Sequence, residues 1–205
     1  MYKIDVYVSN YQTNCYVLYD EEEAIVIDPC IDYQFLKKRI DNLPITKVLI
    51  THGHFDHINK LDTFFNKGIS FYMNSRCLEK IADSEKNLST MTEHPFQFDM
   101  NDEIVCLISD GQVIKTLGLE LKVIQTFGHT NCSITYIIGN DMFTGDFLFK
   151  GTIGRCDLYS ANTYDMMESL KKIRKYRTNY HIYPGHGSDT FLFYEFSDNN
   201  YLKKI

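Results

Sequence analysis

The sequence has no tryptophan, no run of lysine and arginine longer than three residues, no cysteine pair at C-x-x-C spacing and no long apolar stretch. Each absence excludes something. A helix that crosses a bilayer takes roughly 18 or more consecutive apolar residues, so no membrane segment is expected. Nucleic-acid binding rests on clustered Lys and Arg. Here 21 basic residues are scattered among 27 acidic ones, for a formal net charge of −6, and a phosphate backbone is not expected as a partner. The six cysteines (15, 30, 77, 106, 132 and 156) are dispersed. No apolar segment of the signal-peptide kind follows Met1-Tyr2-Lys3-Ile4-Asp5. The thiols are therefore read as reduced and the chain as cytoplasmic.

What is present is the composition of a globular protein. Apolar residues make up 44% of 205, with 15 Tyr and 14 Phe, and that length suits one domain spanning residues 1–205. Patterning predicts strands over Ile4–Val8, Cys15–Tyr19, Ala24–Ile27 and Lys47–Ile50, and helices over Tyr33–Asn42, Asp56–Asn66 and 75–84. Residues 87–95 are the least regular and are expected to form a mobile lid. From Glu103 the chain is β-rich again: Val113–Thr116, Leu119–Ile124, Ser133–Ile138 and Met142–Thr144. Met166, Leu170 and Ile173 then form a helical stripe within Tyr164–Tyr176, expected to face a core. The class is α/β.

The chemistry is concentrated in Thr51-His52-Gly53-His54-Phe55-Asp56-His57, which follows the apolar run Lys47–Ile50 directly. Imidazole and carboxylate are the ligand set of zinc and similar divalent ions. One tetrahedral ion would not use all four groups from so short a segment, so two ions are the economical reading. Of the seven histidines, two more lie in glycine-flanked turns: Phe127-Gly128-His129-Thr130 and Tyr183-Pro184-Gly185-His186-Gly187. Phe143-Thr144-Gly145-Asp146 offers an aspartate after a short apolar strand. Glycine in such turns permits close backbone approach. His94 and His181 fall outside the pattern and are left out of the site.

In this order, T-H-x-H-x-D-H, G-H-T, T-G-D and P-G-H-G resemble the metallo-β-lactamase-fold superfamily, and most closely its glyoxalase II-like hydrolases. Asn14–Val17 and Phe149–Leu158 extend the resemblance over nearly the whole chain. It implies an αββα sandwich with two divalent metal ions, zinc first and iron or manganese as substitutes. By resemblance His52, His54 and His129 hold one ion, Asp56, His57 and His186 hold the other, and Asp146 bridges both. Arg155 matches a basic residue that binds the anionic tail of the substrate. Ile58-Asn59-Lys60 and Asn131-Cys132-Ser133 stand where the family has Ile-Gly-Gly and Pro-Gly-Ser, so the pocket rim is expected to differ.

The implied reaction is hydrolysis of a small thioester or ester. A hydroxide between two cations is a strong nucleophile at neutral pH, so no serine or cysteine nucleophile is required, and Asp56 is expected to orient it. The first alternative is persulfide dioxygenase, which holds a single iron on two histidines and an aspartate, here His52, His129 and Asp146. A β-lactamase, an RNA-processing nuclease and a non-catalytic scaffold on the same fold rank below it. Oligomeric state is not legible.

Overall fold

The computed structural model describes residues 1–176 and 179–205. The chain forms two compact units, Met1–Ile108 and Ser109–Ile205, each built on a six-stranded sheet.

In the first unit the strands are β1 (Lys3–Val8), β2 (Asn14–Tyr19), β3 (Ala24–Ile27), β4 (Ile45–Leu49), β5 (Ser70–Met73) and β6 (Ile104–Leu107). They pair in chain order. The first two pairings are antiparallel and the last three parallel. Every residue of β3 is buried, as expected for a strand covered on both faces. Both edges are less covered: Val6, Val8, Ile104 and Leu107 are exposed. Helix α1 (Tyr33–Arg39) is capped by Asp32 and α3 (Ser75–Ile81) by Asn74, each accepting a first-turn N–H.

Between them, the helix expected over Asp56–Asn66 is broken. Helix α2 covers only Phe55–Ile58, and a separate 3₁₀ turn covers Leu61–Phe64. The break has a physical cause. The Lys60 N–H bonds the Pro29 carbonyl at 3.1 Å instead of the Asp56 carbonyl one turn back, which ends α-helical hydrogen bonding there. Residues 87–95, expected as a lid, are tied down at one end. Asn87 and Ser89 are buried, and Ser89 Oγ bonds both the N–H and the carbonyl of Phe96 at 2.9 Å.

In the second unit the strands are β7 (Val113–Thr116), β8 (Leu119–Gln125), β9 (Ile134–Ile138), β10 (Asp141–Gly145), β11 (Leu148–Phe149), β12 (Thr152–Ile153), β13 (His181–Pro184) and β14 (Thr190–Phe191). The sheet order is β14-β13-β10-β9-β8-β7, and β11-β12 form a small hairpin. Helix α4 (Thr163–Ile173), capped by Asn162, lays Met166, Leu170 and Ile173 into a core with Ile137, Met142 and Ile182. The predicted helical stripe is thus core. Helix α5 (Leu192–Asp198) enters the same core through Leu192.

Strand direction decides where functional groups can gather. Strands β8 and β10 are both antiparallel to β9, and β13 is parallel to β10. All three therefore end at the same edge of the sheet. In the first unit β3 and β4 are parallel neighbours, and β2, antiparallel to β3, begins where they end.

Candidate metal centre

In the first unit the ligand-bearing segment leaves the end of β4, beside the end of β3. His52, His54 and His57 are buried, and Asp56 lies in the first turn of α2. Gly53 lets this turn pack on α3: a Cβ there would lie 2.7 Å from Lys80 Cβ.

The imidazoles are aimed by a residue the sequence reading missed. Asp28 follows β3 with φ 56 and is buried. Its Oδ1 accepts the Thr51 N–H at 2.7 Å, and its Oδ2 accepts the Thr51 hydroxyl at 2.7 Å. The same Oδ2 takes His57 Nδ1–H at 2.7 Å. Because the Thr51 hydroxyl proton is committed to Asp28, its oxygen acts as acceptor for His52 Nδ1–H at 3.1 Å. Both rings are thereby set in the tautomer that leaves the Nε2 lone pair for a metal. Thr13, just before β2, donates its hydroxyl to Asp56 Oδ2 at 2.8 Å.

In the second unit the three ends of β8, β10 and β13 carry His129, Asp146 and His186. The Gly185 N–H bonds the Gly145 carbonyl at 2.9 Å and ties two of these turns together. His129 donates Nδ1–H to the carbonyl of Arg155 at 2.9 Å, which again presents Nε2. Glycine is required twice here. Gly128 has φ +143, and a Cβ would fall 2.4 Å from Met166 Cα. At Gly154 a Cβ would lie 1.8 Å from the Asp146 carbonyl oxygen.

The donor spacings fit metal ligation. Two atoms each roughly 2.0–2.2 Å from one ion, at tetrahedral or octahedral angles, stand about 2.9–3.6 Å apart. His52 Nε2 and His54 Nδ1 are 3.1 Å apart, and His57 Nε2 is 3.6 Å from Asp56 Oδ2. Asp146 Oδ2 lies 3.5 Å from both His129 Nε2 and His186 Nε2. The last three separations are longer than an N–H···O hydrogen bond and match ligand edges around a cation. The chemistry of the set agrees, since neutral imidazole and carboxylate suit zinc, iron and manganese alike. Each predicted ligand thus stands beside at least one other within its own unit.

Arg155, expected to bind the anionic tail of a substrate, is paired with Asp157 in the structure. Its Nε and Nη2 grip Asp157 at 2.6 and 2.8 Å, and this pairing raises its already high pKa. Both side chains are more than half exposed, so the pair is weak and exchangeable.

Comparisons with known proteins identify the family. Residues 8–186 match the family model described as the metallo-beta-lactamase superfamily. A probable metallo-hydrolase of Streptococcus pyogenes serotype M6 is 28% identical over 92% of this chain and 85% of its own length. A probable polyketide biosynthesis zinc-dependent hydrolase of Bacillus velezensis is 26% identical over 91% of this chain and 78% of its own. The crystal structure of the B3 metallo-beta-lactamase BLEG-1 aligns with a TM-score of 0.87 at 28% identity. That alignment covers 98% of this chain and 99% of the other.

The role of Asp28 is testable. In Asp28→Asn one acceptor becomes an NH₂ group, which opposes either the Thr51 N–H or the His57 Nδ1–H. Zinc affinity, read by competition with a chromogenic chelator, should fall by about 10–100-fold, the usual effect of removing a group that orients a ligand. Wild-type affinity in this variant would show that His57 orients itself.

Proposed function

The chain belongs to the metallo-β-lactamase superfamily and has its fold, built on mixed α/β sheets, and from that premise we propose a binuclear metal-dependent hydrolase of a small thioester or ester. On this reading the chain is a single domain over residues 1–205 that works in the cytoplasm. By the family's pattern His52, His54 and His129 would hold one ion, Asp56, His57 and His186 would hold the other, and Asp146 would serve both. The observation that best supports this is the position of Asp146 Oδ2, 3.5 Å from His129 Nε2 and equally far from His186 Nε2. It lies between imidazoles assigned to different ions. A relative named as a zinc-dependent hydrolase favours zinc, with iron or manganese able to replace it.

When bound, the ions supply a water that ionises near neutral pH and a Lewis acid for the substrate carbonyl. The protein supplies aim and proton handling. Asp28 and Thr51 hold the His52 and His57 rings by Nδ1, so that each keeps its Nε2 lone pair for a metal. Thr13 holds Asp56 by Oδ2, and this fixed carboxylate orients the attacking water and takes its proton. Arg155 can exchange Asp157 for an anionic substrate tail, because a substrate carboxylate offers the same two-oxygen face.

Metal counting on protein purified without oxygen or chelator tests the reading. Two ions per chain, zinc or mixed zinc and iron, together with turnover of small thioesters, are expected. A single iron per chain with persulfide-dependent oxygen consumption would replace the hydrolase with a dioxygenase. A panel in which β-lactams are cleaved and thioesters are not would overturn the substrate class.

Asp56→Asn keeps the side-chain shape and removes the base. We expect kcat to fall by roughly 10²–10⁴, the range for a positioned general base, with metal content followed in parallel. Full turnover with both ions retained would end that assignment. Arg155→Ala should raise KM more than it lowers kcat, the signature of lost substrate binding. An unchanged KM would leave Arg155 with its carbonyl as its role.

A further inference from the structure

A buried carboxylate outside all four motifs bears on the second ligand cluster. Glu195 lies on α5 and is 2% exposed. Its Oε1 accepts the Thr190 hydroxyl at 2.8 Å. Its Oε2 accepts the Gly151 N–H at 2.8 Å and the Asn199 amide at 2.9 Å. The same Asn199 nitrogen donates to the Thr152 carbonyl at 3.0 Å, so both of its hydrogens are used. Asn199 is fully buried at the C-terminal end of the helix.

These two side chains therefore grip the backbone of consecutive residues, the N–H of Gly151 in the β11–β12 turn and the carbonyl of Thr152 at the start of β12. Burying a carboxylate is costly unless its hydrogen bonds are met, and an alkyl side chain would fill the same space without that cost. The gripped segment shows what the carboxylate gains. Two residues past Thr152, Gly154 packs on the backbone of Asp146. One residue further, the Arg155 carbonyl holds His129 Nδ1. A backbone carbonyl can orient an imidazole only if its own peptide is held still.

We infer that Glu195, with Asn199, is a positioning residue for the metal ligand His129, acting through residues 151–155. This rests on the reading of His129 and Asp146 as metal ligands. It means that part of the ligand geometry is set from the far side of the hairpin by a helix that carries no ligand.

The test is cobalt binding to the full chain, followed by visible absorption and by competition with a chelator. Glu195→Met fills the volume and removes both acceptors. It should lower cobalt affinity by about tenfold, the low end for ligand-orienting groups, and alter the absorption of the bound ion. Glu195→Gln should restore both, because its oxygen can serve Gly151 and Asn199 while its NH₂ donates to the Thr190 hydroxyl. Thr190→Val removes only the bond on the β14 side. It should lower Tm and leave cobalt affinity unchanged, which separates positioning from general stability. Asn199→Ala, which releases the Thr152 carbonyl, decides the matter if Glu195→Met does not fold. Wild-type cobalt affinity and spectrum in the folded Glu195→Met variant, or in Asn199→Ala in its place, would overturn the inference and leave Glu195 a structural residue. A wild-type chain that binds no cobalt would overturn the metal reading itself, and the inference with it.

Discussion

A buried carboxylate at the end of one strand, Asp28, sets the terms for the first ligand cluster. It takes three hydrogen bonds from two residues of the segment that follows the neighbouring strand. Imidazole is ambiguous by nature: either nitrogen can carry the proton, and the ring can present either one. Buried rings without a partner to settle the tautomer would be costly and misdirected as ligands. By engaging Nδ1 of His57 directly, and Nδ1 of His52 through the Thr51 hydroxyl, one carboxylate removes the ambiguity for both.

The second cluster solves the same problem with different groups. His129 is oriented by a backbone carbonyl, and the backbone around it is positioned by close packing that only glycine allows, at Gly128 and Gly154. A carboxylate side chain tolerates small backbone shifts because its own torsions can follow. A carbonyl oxygen moves rigidly with its peptide plane. The second arrangement therefore depends on what holds residues 151–155, and Glu195 and Asn199 supply those hydrogen bonds from α5.

Much of the fold was legible in local pattern. Strands β3 and β7 fall where β-branched and apolar runs place them, and α4 presents the stripe read from its spacing. What local pattern did not carry came from long-range partners. The helix expected from Asp56 to Asn66 stops because Pro29, far back in the chain, captures the Lys60 N–H. Residues 87–95 carry no strong local signal, yet the Asn87 carbonyl receives the Phe55 N–H at 2.8 Å, so the stretch is fastened to the ligand segment itself. Strand β14, two residues long, is too short for periodicity to register.

The sequence by itself determined which donor groups exist and in what order: three histidines and an aspartate in one turn, then His129, Asp146 and His186, each beside a glycine that its spacing makes conspicuous. That much is chemistry, and residue type carries it. Only the tertiary structure decided how those donors point. Asp28 reads in sequence as one acidic residue after a buried strand, and the Arg155 carbonyl is a group that every residue possesses. What makes each of them specific is its distance from an imidazole brought to it by strand pairing, and strand pairing is a property of the folded sheet.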